Sequence, residues 1–323
     1  MAAILLVTVV IYVGRLNDWF GIIELSTFSS IIVILLLAAG LGWVMVRTIQ
    51  GHPADRRMVF LFIGIAITVP FFMSLTQKIS VSPETTQLIE GLNALPAGSR
   101  VLATFDYDPA SAPELQPMAE SFFRYAFDHR LKVIIMGLWP QGPQQANQAL
   151  AVVLQDEKYK TMNLQYGIDY VNLGFQSGNE FVIQRIGSDF QSMFRVDYSG
   201  TPYDKLPLVK NIKNFSNIDY SFNLSAGYPG TREWVLIGVD RYGLKMGAGN
   251  TAVQTTGMYP YVRSGQLIGI LGGMNGAAEF EAATGYLGKG TRFMLSQSFA
   301  HMIIIVFILI GNVAYFMHER KRK

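Results

Sequence analysis

The chain of 323 residues has no cysteine, which excludes disulfides, thiolate metal sites and a cysteine nucleophile together. Charge is scarce too. Only 15% of residues are Asp, Glu, Lys or Arg, and the net charge of +3 is too small and too local for a nucleic-acid-binding surface. Histidine occurs four times, and His129 is the only one outside segments that read as membrane-proximal. The opening "MAAILLVTVVIYV" lacks the basic start of a cleaved signal peptide, and Gly14-Arg15-Leu16-Asn17 follows it instead of a small-residue cleavage site.

What the chain has in quantity is apolar surface: half of its residues are hydrophobic and the mean hydropathy is +0.27, the composition of a membrane protein. Residues 28–47, "FSSIIVILLLAAGLGWVMVR", form an apolar run long enough to cross a hydrocarbon core of about 30 Å as a helix. Residues 58–76, with Pro70 as an expected kink, and residues 299–317 read the same way. The run at 2–13 is short and is read as a thin or tilted span. About four transmembrane helices result, and the bilayer is the first expected partner.

Basic residues orient the spans. Arg47, Arg56 and Arg57 lie between the second and third, and "HERKRK" follows the last, so both segments are expected in the cytoplasm with both termini. The loop 14–27 then lies outside, with Trp19 and Phe20 as interfacial anchors. The basic tail reads as a stop-transfer anchor. Three regions follow: 1–76 as the N-terminal membrane region, 77–298 as one extracytoplasmic domain, periplasmic or extracellular, and 299–323 as the last span with its tail.

The middle region alternates strand and helix patterns. Ser82-Pro83-Glu84 opens a helix. "RVLATF", "KVIIMGLW", "DYVNLGF" and "NIDYSFNL" read as strands, and "ELQPMAESFFRYAFDH", "PQQANQALAVVLQDEK" and "EFVIQRIGSDFQSMF" as helices, with a short helix near Leu208 to Ile212 and a further apolar segment at "EWVLIGV". Such alternation specifies α/β with a mostly parallel sheet covered on both faces, Rossmann-like or flavodoxin-like. Between Ser264 and Gly285, Gly265, Gly269 and Gly273 recur every fourth residue with Gly272 and Gly276 beside them. This predicts a helix with a glycine face, packed on a span, a neighbouring subunit or the sheet.

Ligands of parallel sheets bind at the carboxyl ends of strands, where "DYDP", "WPQGP", "FQSGN" and "SAGYPG" fall. The expected rim gathers Asp106 and Asp108 with Trp139, Gln141, Gln176, Ser177, Asn179, Ser225 and Tyr228, and the turn glycines Gly142, Gly178 and Gly227. These residue types suit a small polar ligand or a peptide, and equally suit ordinary turns. The pair Asp106 and Asp108 resembles the opening motif of haloacid-dehalogenase-like phosphotransferases, in which the first aspartate is the nucleophile and the second an acid/base. The resemblance stops there: Pro109 and Ala110 depart from that motif, and its later lysine and paired acids have no match. His129 closes a helix and belongs at the opposite sheet edge, which excludes a Ser-His-Asp arrangement with Asp106. "KMGAGNT", residues 245–251, is a glycine-rich loop without P-loop spacing. Sequons stand at Asn214 and Asn223.

With no coherent catalytic constellation, no expected metal or cofactor and spans almost free of charge, the leading expectation is noncatalytic. The chain reads as an accessory, scaffold or ligand-binding subunit of a membrane assembly, with other subunits or its own copies as partners. The alternatives are a membrane-tethered hydrolase or phosphotransferase using Asp106 and Asp108, and an extracytoplasmic sensor or solute-binding protein.

Overall fold

The computed structural model describes residues 27–52, 54–68, 70 and 79–322. The main elements in chain order are α1 (Thr27–Ile49), α2 (Arg56–Thr68), α3 (Pro83–Asn93), β1 (Arg100–Asp106), α4 (Ala112–Asp128), β2 (Lys132–Gly137), α5 (Gly142–Leu154), β3 (Tyr170–Phe175), α6 (Glu180–Ser188), β4 (Tyr220–Ser225), β5 (Met246–Asn250), β6 (Ile270–Gly272), α7 (Gly273–Thr284) and α8 (Lys289–Arg322). They divide into a helical unit, Met1–Lys78 with Arg292–Lys323, and an α/β unit, Ile79–Thr291.

Among the described residues, two helices are long and apolar enough to cross a membrane, over Ile32–Ile49 and Lys289–Met317. Leu35 and Leu36 on α1 and Ile305 and Leu309 on α8 expose most of their side chains, as lipid-facing residues do. Phe62 of α2 meets Phe307 of α8 edge-on at 5.7 Å. The expected span at 2–13, with Trp19 and Phe20, lies outside the described residues. So does most of the end of the span over 58–76, which is described as helix only to Thr68.

The α/β unit is built on six parallel strands in the order β3-β2-β1-β4-β5-β6. That order is the doubly wound Rossmann-like one, and it excludes the flavodoxin-like alternative. The strands read as near-continuous apolar runs because both faces are covered. Successive side chains serve opposite cores: Val101, Ala103 and Phe105 of β1 pack under α3, α4 and α5, whereas Leu102 faces the layer containing α6. Phe122 of α4 stacks on Phe222 of β4 at 4.4 Å, fixing that helix to the centre of the sheet.

Several sequence expectations are corrected here. "KMGAGNT" is not a glycine-rich loop; its core is the buried strand β5. A Cβ at Gly249 would lie 2.7 Å from Met118 Sδ, so glycine lets α4 approach this strand. The segment 264–285 is not one glycine-faced helix but a turn, the strand β6 and then α7. Gly265 turns at φ +79°, Gly269 lies against the main chain of α3, Gly272 ends β6, Gly273 starts α7 at φ +56°, and Gly276 lies on Leu271. A strand followed by a tight turn into a helix needs small residues in quick succession, and here they happen to repeat every four. Residues 207–211 form turns, flanked by short 3-10 segments at Tyr203–Lys205 and Phe215–Asn217, instead of a helix. "EWVLIGV" is mostly a π-helix over Trp234–Val239.

The carboxylates of α7 hold the segments at both ends of the unit. Glu279 accepts from Ser82 N at 3.0 Å and Thr85 Oγ1 at 2.7 Å, where α3 begins. Glu281 accepts from Gly288 N, Gly290 N and Thr291 N at 2.8–2.9 Å, capping the first turn of α8.

Candidate functional site

The strand order reverses between β1 and β4, so the crevice of a doubly wound sheet is expected beyond Asp106 and Ser225. Asp106 is fully buried beneath that position. Its Oδ1 accepts from Leu138 N at 2.7 Å, and its Oδ2 accepts from Asn223 Nδ2 and Trp234 Nε1, both at 2.8 Å. One side chain thereby ties the end of β1 to the end of β2, the middle of β4 and the π-helix. Burial pushes its carboxyl up to about 7, against the pull of the Leu138 amide, the Trp234 indole and the Asn223 amide; Glu233 adds a smaller upward push.

A polar chain continues from there through the sheet edge. Asn223 Nδ2 also donates to Thr104 Oγ1 at 2.7 Å, and Thr231 Oγ1 donates to Asn223 Oδ1 at 2.5 Å. Asn250 Nδ2 donates to Thr231 Oγ1 at 2.7 Å and Gln254 Oε1 at 2.9 Å. Gln254 Nε2 closes the chain on Gly227 O at 3.1 Å. Of these side chains, Asn250 alone keeps a buried atom, Oδ1, without a partner among the described residues. A network this extensively hydrogen-bonded rigidifies the edge of the sheet.

Asp108 does not join Asp106. Its Oδ1 accepts from Ser111 N and Oγ, each at 3.2 Å, forming the turn before α4. The Asp-x-Asp pair is therefore a buried tie followed by a turn cap. Two carboxylates on a shared magnesium ion would need free oxygens converging on one point, and both oxygens of Asp106 already hold donors. Among the described residues, no group of three His, Asp or Glu side chains is placed to hold a metal ion.

The remaining rim residues separate into two sets. Trp139 donates from Nε1 to Pro229 O at 2.8 Å and covers Gly227, with Ser225 buried alongside. Tyr228 is 61% exposed and donates to Glu180 Oε1 at 2.8 Å, linking the β4 loop to α6. Asn179 precedes α6 at φ +49°, and exposed Ser177 and half-buried Gln176 share its loop. Gln141 stands apart as the exposed N-cap of α5. His129 caps α4 at the far end, stacked on Tyr125 at 3.9 Å.

Sequence reasoning missed Thr104, Glu180, Thr231, Trp234, Asn250 and Gln254. Its one usable signal was an asparagine inside a strand pattern, Asn223, which must find partners when buried. The sequon there is closed, because Asn223 is fully buried; Asn214 is a loop residue whose side chain accepts from Ser216 N at 3.0 Å. Clefts of about 290 and 300 Å³ flank the amino ends of the strands, sharing Gly98 and Lys132, with Lys132 paired to Asp169 at 2.6 Å.

No protein-family model matches the chain, and no curated protein matches it. Among solved structures it is similar to a trehalose-6-phosphate synthase, at 10% identity and a TM-score of 0.29, over 76% of this chain and 47% of that one. The chain thus spans about half the length of that protein, and a likeness this distant carries no functional argument.

Proposed function

We propose that this chain is a noncatalytic accessory or scaffold subunit of a membrane assembly, fixed by about four transmembrane helices and presenting its α/β unit outside the cytoplasm. The observation that carries the noncatalytic part is Asp106: both oxygens of the most perturbed acid at the switch point are held by three internal donors. A reacting carboxylate is reached by its substrate, whereas this one is fully buried with both oxygens engaged by internal donors. The membrane part draws on the two long apolar helices among the described residues, and the arginines at 47, 56 and 57 support a cytoplasmic hairpin between α1 and α2.

The same edge of the sheet offers contact surface in place of chemistry. Tyr228 on the loop after β4 and Phe181 on the first turn of α6 stand more than half exposed, and Val253 is 87% exposed. Exposed aromatic side chains on a rigid sheet edge suit a protein partner. The full chain should leave its native membrane in mild detergent as part of a larger particle, read by native electrophoresis and light scattering. A monodisperse monomer under those conditions contradicts the assignment. Equal background phosphatase and esterase activity in the wild type and in Asp106→Asn is expected, and a wild-type activity lost in the variant would restore the hydrolase alternative.

A further inference from the structure

A half-open cleft of about 160 Å³ that the domain-level function does not use lies at the turn between α1 and α2. Trp43, Val44 and Arg47 from the end of α1 line one side, and His52, Asp55 and Met58 the other. Arg47 lies one helical turn after Trp43, and its guanidinium sits over the indole at 5.2 Å. Stacking of this kind holds the planar fork in place while leaving its N–H donors free at the edge.

The charge around the cavity is unbalanced. Three guanidiniums, Arg47, Arg56 and Arg57, stand against one carboxylate, Asp55, over the hairpin. Asp55 is turned to the start of α2, where its Oδ1 accepts from Arg57 N at 3.5 Å and its backbone oxygen from Met58 N at 2.9 Å. Every ion pair among the described residues lies in the α/β unit, so none of these arginines is matched to an acid there. The volume of about 160 Å³ leaves room for one tetrahedral phosphate.

We propose that this cavity binds a phosphate group carried on an anionic phospholipid, gripped by the Trp43-stacked Arg47. The assignment rests on the membrane reading, which puts a tryptophan and three arginines at the level of the lipid headgroups. Arg47 supplies a two-pronged contact to phosphate oxygens. His52 lies across the cavity as a further donor, and exposed Arg56 and Arg57 raise the local concentration of anionic lipid.

Native mass spectrometry of the full chain in mild detergent tests this, with phosphatidylglycerol, phosphatidylcholine and inorganic phosphate as separate probes. The wild type should retain phosphatidylglycerol over phosphatidylcholine, and millimolar phosphate should compete. Arg47→Gln should lower phosphatidylglycerol affinity about ten-fold, the worth of one charge-assisted contact, and leave phosphatidylcholine unchanged. Arg56→Gln, outside the cavity lining, should change it less. Equal retention of the two lipids, or a preference that survives Arg47→Gln in a variant of unchanged helicity, overturns the pocket. Phosphate binding with no lipid preference overturns the lipid source. Release of the chain from vesicles by alkaline carbonate instead overturns the membrane reading itself, so the two failures are told apart.

Discussion

Replacing Asp106 with asparagine sets two effects against each other, and pH separates them. With its amide oxygen toward Asn223 and Trp234, the variant keeps two of three hydrogen bonds but turns an NH₂ group toward the Leu138 N–H. Two buried donors then face each other, which costs about 1–3 kcal/mol at any pH. The wild type carries a different burden. Its carboxyl rises from an ordinary 3.8 to about 7 on folding, so between those values the folded state binds more protons than the unfolded one. Wild-type stability therefore falls as pH rises through that window, by about 4 kcal/mol in total, and levels off above it. Asparagine does not titrate. The variant should be the less stable protein near pH 4 and the more stable one near pH 8, with the two curves crossing between about pH 4.5 and 6. Urea unfolding of the full chain in detergent measures the difference, because every other titrating group cancels between the two proteins. Fluorescence of Trp234, in contact with Asp106, gives a local signal. A difference that stays constant from pH 4 to 8 refutes the reasoning and means the three donors keep Asp106 ionised throughout.

Further outcomes follow from particular contacts. A Cβ at Gly269 would fall 2.4 Å from both Glu84 O and Leu88 N, main-chain atoms that cannot step aside, so Gly269→Ala should cost about 1–3 kcal/mol, read as a lower urea midpoint. Glu281→Gln removes the charge that caps α8 and should speed amide hydrogen exchange at Gly290 and Thr291, with a loss of about 2 kcal/mol; unchanged exchange there contradicts the capping role. In a host that glycosylates exported domains, peptide mass spectrometry should find a glycan at Asn214 and none at Asn223, which is fully buried.

The sheet was legible wherever the core is made of large apolar side chains. "RVLATF" and "KVIIMGLW" form β1 and β2 because their residues fill both cores, and such runs announce themselves. β5 was hidden because Gly247 and Gly249 face α3 and α4, where closeness matters more than bulk, and glycines in sequence look like a loop. β6, at three residues, is shorter than any pattern can register. Asp106 was placed at the right strand end but on the wrong side of the surface. Its partners Leu138, Asn223 and Trp234 lie 32, 117 and 128 residues away, so no local spacing could show that its oxygens were taken. The polar turn of Asp108 looks the same in sequence whether the acid before it is exposed or buried.

The proposed topology sets the α/β unit on the far side of a bilayer from the α1–α2 hairpin. Because the chain has no cysteine, single substitutions can report this without a background. Val253→Cys, at a position 87% exposed, and Gly51→Cys in the hairpin would each be treated on intact cells with a membrane-impermeant maleimide. Val253→Cys should label at once and Gly51→Cys only after permeabilisation. The opposite order, or immediate labelling of both, contradicts the account.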